Sequence, residues 1–305
     1  MSHLEVPGAM LYHEVVGSGP LLLCISGGDG SVENWRVFSD ALKDHFTVVS
    51  WDRRGFSRSY ITGTQDYRPL PRFARDADDA ALLIQKYSPN TPATVIGNSS
   101  GGIVALTLLT RHPELIRTMI PYEPPIAKLC PDYEHICALH REIYSTYRLG
   151  GPLPAYKLFG ALTKSPLMSN FKIDFSTPYL WSNMNFWFER EFMSVPDVDF
   201  DVEKDFGPHK DKLVPVYGGL SQKDAYQYQA MEVVCGKLAL EYLAFPGEHI
   251  GQMTHAREFA GALFEALKRK DEYYAELVGR RTDALLERRF RKRNVRTPEA
   301  GGYVA

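Results

Sequence analysis

No apolar run in this chain approaches the roughly 18 to 20 residues that a bilayer-spanning helix needs, so a membrane is not an expected partner. Cysteine is scarce and scattered: Cys24, Cys130, Cys137 and Cys235 form no C-x-x-C pair. That argues against a metal site and a disulfide framework, and it suits a reducing compartment. An excess of one charge is also missing. The 35 Lys and Arg nearly balance 37 Asp and Glu, for a formal net charge of −2. Such a balance gives nucleic acid no global attraction to the chain. The opening MSHLEVPGAM lacks a basic stretch followed by an apolar one, so a secretory signal is not expected and the expected location is cytoplasmic. Internal repeats and low-complexity segments are absent as well.

What is present is a rhythm of short buried runs and amphipathic stretches, in a chain of 305 residues. That length suffices for one large α/β domain carrying an inserted subdomain. LYHEVVG (11–17) alternates, ends in the turn signal GSGP, and precedes LLLCIS (21–26). This pair reads as an early antiparallel hairpin. FTVVSWD (46–52) is the next strand. A helix follows over about 72–87, with Phe73, Ala77, Ala80, Leu83 and Ile84 on one side. ATVIGN (93–98) reads as a buried strand, GGIVALTLLTRHP (101–113) as a helix, and IRTMIPYE (116–123) as a strand stopped by two prolines. Strands alternating with helices at this spacing predict a mostly parallel, doubly wound sheet with helices on both faces.

From about 126 to 208 the rhythm breaks into aromatic-rich, irregular sequence centred on WSNMNFWFERE (181–191). It resumes with LVPVYGG (213–219), LALEYLAFPG (238–247) and a helix over about 254–270. The expected organisation is therefore a core of 1–125 and 209–270, a helical cap of 126–208 inserted late in that core, and a basic tail of 271–305. The tail's Arg288, Arg289 and the basic run to Arg296 read as a solvated or partner-facing helix end.

Gly97-Asn98-Ser99-Ser100-Gly101 matches G-x-S-x-G between a strand and a helix. The chemistry needs a turn tight enough to strain the nucleophile's backbone, with glycines two residues away on either side. Ser99 is thus the candidate nucleophile, and the Ser100 amide, at a helix N-terminus, is a candidate oxyanion donor. The glycine-rich SGGDG (26–30) after the strand LLLCI offers the second donor. Gly28 is the first choice there and Asp29 the alternative. A phosphate-binding loop fits less well, since G-x-G-x-x-G spacing and a P-loop lysine are both lacking. His249 in PGEHIGQ (246–252) follows the serine in chain order and suits the general base.

The acid is harder to place. Three residues beyond Gly218 and Gly219 stand Ser221 and Gln222, and neither can carry a negative charge. Two carboxylates compete: Glu123, at the end of the strand after the elbow helix, and the alternative Asp224, two residues late. Glu123 is preferred because Pro124 and Pro125 fix the chain behind it. Tyr179, Trp181, Phe186, Trp187, Phe188 and Phe192 are candidate linings of an apolar pocket for a bulky ligand.

These ordered motifs resemble the α/β-hydrolase superfamily: SGGDG, WDRRGFSRS (51–59), GNSSG and PGEHIG. Phe56-Ser57 alters the second glycine of D-x-R-G-x-G-x-S, and two further departures stand out: Ser26-Gly27 replaces the common His-Gly, and the usual acid position is vacant. Within the superfamily the G-x-S-S-G elbow, the PG-x-H loop and the glutamate-proline step are similar to fungal lactone hydrolases of the zearalenone-lactonase type. That resemblance implies Glu123 as the triad acid. Haloalkane dehalogenases and epoxide hydrolases share the fold but use an aspartate nucleophile, against which Ser99 argues. The expected activity is cofactor-free and metal-free hydrolysis of a bulky apolar ester or lactone through an acyl-enzyme. A C–C hydrolase acting on β-diketones through the same residues, or a non-catalytic small-molecule receptor on the same fold, are the alternatives. A homodimer remains open beside a monomer.

Overall fold

The computed structural model describes residues 2–64, 71–166 and 178–277. The chain divides into two units, Met1–Ala260 and Gly261–Ala305. The first is organised around one sheet. Its strands are β1 (Ser2–Val6), β2 (Ala9–Gly17), β3 (Leu21–Ile25), β4 (Thr47–Trp51), β5 (Tyr60–Ile61), β6 (Ala93–Asn98), β7 (Ile116–Tyr122), β8 (Val216–Gly218) and β9 (Leu243–Phe245). The spatial order is β1-β2-β4-β3-β6-β7-β8-β9, with β5 paired to β2. Every pairing from β4 through β3 to β9 is parallel.

The central strands are buried on both faces because helices cover both. Leu21, Leu23 and Ile25 of β3 share a core with Phe73, Ala77 and Ile84 of α2 (Arg72–Tyr87) and Ile103 of α3 (Ser100–Arg111). Leu22 and Cys24, equally enclosed, point the other way by the two-residue period of a strand. The helix α1 (Arg36–Leu42) packs on β2 and β4. An all-apolar strand such as LLLCI is what two covered faces demand.

The hairpin expected from LYHEVVG and LLLCIS does not form. β4 lies between them, antiparallel to β2 with His13 opposite Trp51 and parallel to β3 with Leu21 opposite Thr47. The turn glycines serve a different purpose. Gly17 (φ +82°) and Gly19 (φ +137°) let the incoming chain pass so close that a Cβ would lie 2.3 Å from Lys43 O and 2.5 Å from His45 O. The chain entering β4 is then stitched in by Thr47 N–H to Pro20 O at 3.0 Å. LALEYLAFPG also contributes a shorter strand than its pattern suggests. Leu238 ends a helix, α7 (Tyr226–Leu238), whose C-cap Ala239 is left-handed at φ 54°, so only Leu243–Phe245 pairs.

Between β7 and β8 come α4 (Tyr133–Gly150), α5 (Pro152–Leu162) and α6 (Leu180–Arg190). They gather an aromatic cluster of Tyr147, Phe159, Trp187, Phe188 and Phe192, which also takes in Phe56 from the loop after β4. Ser57, at φ 47°, exchanges two hydrogen bonds of 2.8 Å with Asn183 of α6. Ser57, at the place of the motif's second glycine, and Phe56 before it thus both meet the insert. After β9 come the short α8 (Gly251–Thr254) and α9 (Ala256–Lys270). Among its described residues the second unit, from Gly261, holds the rest of α9 and a helical stretch over 272–277. The basic run Arg288–Arg296 lies outside the described residues. Among the described residues no helix is long and apolar enough to cross a membrane.

Candidate active site

Ser99 joins β6 to α3 at φ 55° and ψ −127°, a region that costs a residue with a Cβ on the order of 1–3 kcal/mol. The flanking glycines make the strain attainable. A Cβ on Gly97 would stand 2.2 Å from Gly101 O, and one on Gly101 would stand 2.4 Å from Ile25 O. The Ser99 amide donates to Tyr122 O on β7 at 2.9 Å, while Ser99 O accepts from Gly102 N at 2.8 Å. The serine is partly open to solvent, whereas Ser100 beside it is buried at the head of α3.

The loop after β3 lies against the serine: a Cβ on Gly27 would meet Ser99 Cβ at 3.0 Å. Gly28 carries the Trp187 indole on its α-carbon, with Nε1 only 2.7 Å from where a Cβ would be. Asp29 turns aside, its carboxylate accepting from Asn34 Nδ2 at 2.5 Å. Burial lifts the Asp29 pKa to about 6, against the opposing pull of the Asn34 hydrogen bond.

Beyond β7, Glu123 is fully buried and sits at φ 45°. Its Oε2 lies 2.7 Å from His249 Nδ1, and its Oε1 accepts from Gly218 N of β8 at 3.0 Å. One carboxylate therefore spans from the end of its own strand to the end of the next. His249 is buried to 3% exposure, and its loop is held on two sides. Asn98, the residue before Ser99, donates from Nδ2 to His249 O at 2.8 Å. The Tyr122 hydroxyl donates to Glu248 O and accepts from Gly251 N, the latter at 3.1 Å. Burial raises the Tyr122 pKa well above its ordinary value, so the hydroxyl keeps the proton it donates.

Asp224 stands apart from this group. It pairs on the surface with Lys164 Nζ at 2.5 Å, and its side chain is 69% exposed. Ala225, not Asp224, occupies the N-cap position of the helix behind it, and no side chain caps that helix. The aromatic candidates divide into three sets. Trp187 faces Gly28, and Phe186 covers Gly55 and meets Phe56 edge-on at 4.9 Å. Phe188 stacks on Tyr147 at 4.7 Å and Phe192 lies against His140 at 4.6 Å, both inside the insert's cluster. Tyr179 and Trp181 are about half exposed.

Sequence reading passed over Asn98, Tyr122, Arg53 and Glu191. The last two form a buried ion cluster: Arg53 Nη2 meets Asp76 Oδ2 at 2.8 Å and Glu191 Oε2. Burial works against the Arg53 charge, but Glu191 and Asp76 outweigh it and raise its pKa. The one sequence signal for Glu191 is a carboxylate embedded in the aromatic run FWFEREF.

Comparison with known proteins agrees with this architecture. The profile of the alpha/beta hydrolase fold family matches residues 20–148. The chain is similar to the uncharacterized hydrolase YraK of Bacillus subtilis, at 30% identity over 274 residues that cover 88% of this chain and 97% of YraK. It is also similar to human serine hydrolase BPHL, at 34% identity over 120 residues, a match limited to 38% of this chain and 40% of BPHL. In three dimensions a thermophilic esterase from Thermogutta terrifontis superposes with a TM-score of 0.64 at 17% identity, covering 88% of this chain and 99% of that one; at that identity the likeness concerns fold alone. The chain belongs to the alpha/beta hydrolase fold family. It is a hydrolase of that fold, with a mostly parallel central sheet.

Proposed function

We propose that this protein is a serine hydrolase of carboxylic esters or lactones, with Ser99 as nucleophile, His249 as general base and Glu123 as its orienting acid. One observation carries the reading: a fully buried carboxylate, Glu123, holds His249 Nδ1 at 2.7 Å, on the strand next to the strained serine elbow. With Nδ1–H directed at Glu123, the lone pair of Nε2 is the one available to accept a proton. His249 takes the Ser99 proton as Oγ adds to the carbonyl carbon. The resulting oxyanion sits between the amides of Ser100 and Gly28. His249 then returns the proton to the departing alkoxide, and the ester bond breaks to leave an acyl-Ser99. Water, deprotonated by the same imidazole, adds to the acyl carbon and releases the acid.

Trp187 beside Gly28 supports an apolar substrate close to the reacting carbonyl. The likeness of the elbow, histidine loop and glutamate-proline step to zearalenone-lactonase-type enzymes supports lactones as substrates to try first. Turnover of p-nitrophenyl acetate and of a macrocyclic lactone panel tests the reading, together with labelling by a fluorophosphonate. Hydrolysis and labelling that both vanish in Ser99→Ala are the expected result. Cleavage of β-diketones without ester turnover would replace the reading with C–C hydrolysis, and neither turnover nor labelling would replace it with a receptor.

A further inference from the structure

Two adjacent arginines, Arg53 and Arg54, are both buried, and only one of them grips the loop beside the serine. Arg54 forks onto Asp79 at 2.6 and 2.9 Å and reaches Pro7 O at 2.9 Å. Arg53 sends Nη1 to Gly27 O at 2.8 Å, with Ser26 O at 3.3 Å and Ser100 Oγ at 3.4 Å. Its backbone amide also donates to Gly30 O at 2.7 Å. Nη1 has two hydrogens for these acceptors and Glu191 Oε1 at 3.3 Å, so the nearest, Gly27 O, is the contact that counts most.

Gly27 O is the carbonyl half of the peptide whose amide half is Gly28 N–H. No peptide in the described chain is cis, so the two groups point in opposite directions. Fixing the carbonyl toward Arg53 fixes the amide away from it. Gly30 N–H grips the same carbonyl at 2.9 Å. Arg53 is itself fixed by Asp76 and by Glu191, and Glu191 follows α6 of the insert. The insert thereby reaches the loop twice, through Trp187 on Gly28 and through Glu191 on Arg53. A buried ion cluster is a weak source of stability, which leaves its geometry as the more useful property.

We propose that Arg53 is a positioning residue for the oxyanion hole, turning the Gly28 amide toward the reacting oxygen, and that Glu191 of the insert completes its seat. This rests on the serine-hydrolase reading given above. Lysine keeps the charge but not the planar fork, so Arg53→Lys should loosen the amide without removing it. Loss of a whole oxyanion donor costs about 10²–10³ in kcat. A misdirected one should cost about 10–100-fold, with KM within about threefold of wild type. Glu191→Gln keeps the shape and removes the charge, and should cost about 3–10-fold in kcat.

The direct readout is an adduct with an aryl trifluoromethyl ketone labelled with carbon-13 at its carbonyl. Ser99 Oγ adds to that carbon, its proton passes to His249, and the carbonyl oxygen becomes the oxyanion of a hemiketal. The pH at which that oxygen takes up a proton, read from the carbon-13 shift, reports how well the hole stabilises charge. The expected result is a shift of about one unit upward in Arg53→Lys and a smaller one in Glu191→Gln. Arg54→Lys should lower Tm while leaving the adduct's titration and kcat within about twofold. Unchanged titration in folded Arg53→Lys and Glu191→Gln would overturn the proposal, as would an equal shift in Arg54→Lys. If Arg53→Lys does not fold, the Glu191→Gln titration decides alone. A wild type that forms the adduct with no response in these variants sinks only this inference. A wild type that neither forms it nor turns over esters sinks the serine-hydrolase reading, and this inference with it.

Discussion

The ends of β7 and β8 each offer a carboxylate, and they could hardly differ more in what surrounds them. Glu123, just beyond β7, is fully enclosed, lies at a positive φ, and divides its two oxygens between His249 Nδ1 and the Gly218 amide. Asp224, beyond β8, is largely exposed, and the Lys164 hydrogen bond lowers its pKa. The difference teaches that the acid of the proposed triad is chosen by its place in space, which the end of either strand could supply. Glu123 reaches across to Gly218, on the strand that would otherwise carry the acid. Gly218 has no room for more: a Cβ there would lie 2.6 Å from the Glu248 backbone. A desolvated carboxylate fixed on two donors can orient an imidazole, whereas an exposed ion pair of this kind is worth little.

The comparison breaks most completely if the serine at the end of β6, the neighbour of β7, is inert. Ser99→Ala should lower kcat for p-nitrophenyl esters by about 10⁴-fold or more, measured against enzyme purified in parallel, and an active variant would refute the assignment. Gly218→Ala probes the β8 end. The added methyl must push the Glu248–His249 segment or tilt the amide that Glu123 accepts from, and a shift of about 1 Å can cost on the order of 10²-fold in rate. Steady-state kinetics with unchanged circular dichroism would check this, and full activity would mean the β8 end is not part of the site.

A smaller effect separates the insert from the sheet. Burial holds the pKa of His140, on α4, down to about 4, against about 6.5 in an unfolded chain. Between those values the unfolded state binds more protons, so this residue's share of stability is intact above pH 6.5 and falls as pH drops toward 4. Urea melts of His140→Phe and wild type at pH 7 and pH 4.5 should show the wild type losing about 1–3 kcal/mol more than the variant. Equal losses would show that His140 is not the group that senses acid.

Much of the sheet was readable because the local pattern decides it. ATVIGN and LLLCI are short, mostly apolar runs, buried along their whole length as strands of a doubly covered parallel sheet are, and Arg72–Tyr87 carries its apolar face at helical spacing. The places of Ser99 at a strand-to-helix turn and of His249 after the last strand were equally readable, since both turns are local signatures. The pairing of β2 was not, because β4, which separates it from β3, comes about thirty residues later along the sequence, and the GSGP turn looks the same whether or not a hairpin closes. Arg53 and Glu191 were invisible for a similar reason. They are 138 residues apart, and nothing in either neighbourhood says that a buried guanidinium and a carboxylate in an aromatic run will meet.

The most direct test of the central claim sets the two carboxylates side by side. In Glu123→Gln the side-chain amide would donate to His249 Nδ1 and force the proton onto Nε2, the wrong tautomer for accepting from Ser99. Values of kcat for Glu123→Gln and Asp224→Asn, taken on one ester substrate at one pH, should fall by about 10³–10⁴-fold for the first and by less than about twofold for the second. A deep loss in Asp224→Asn with near-normal turnover in Glu123→Gln would contradict the account at its centre.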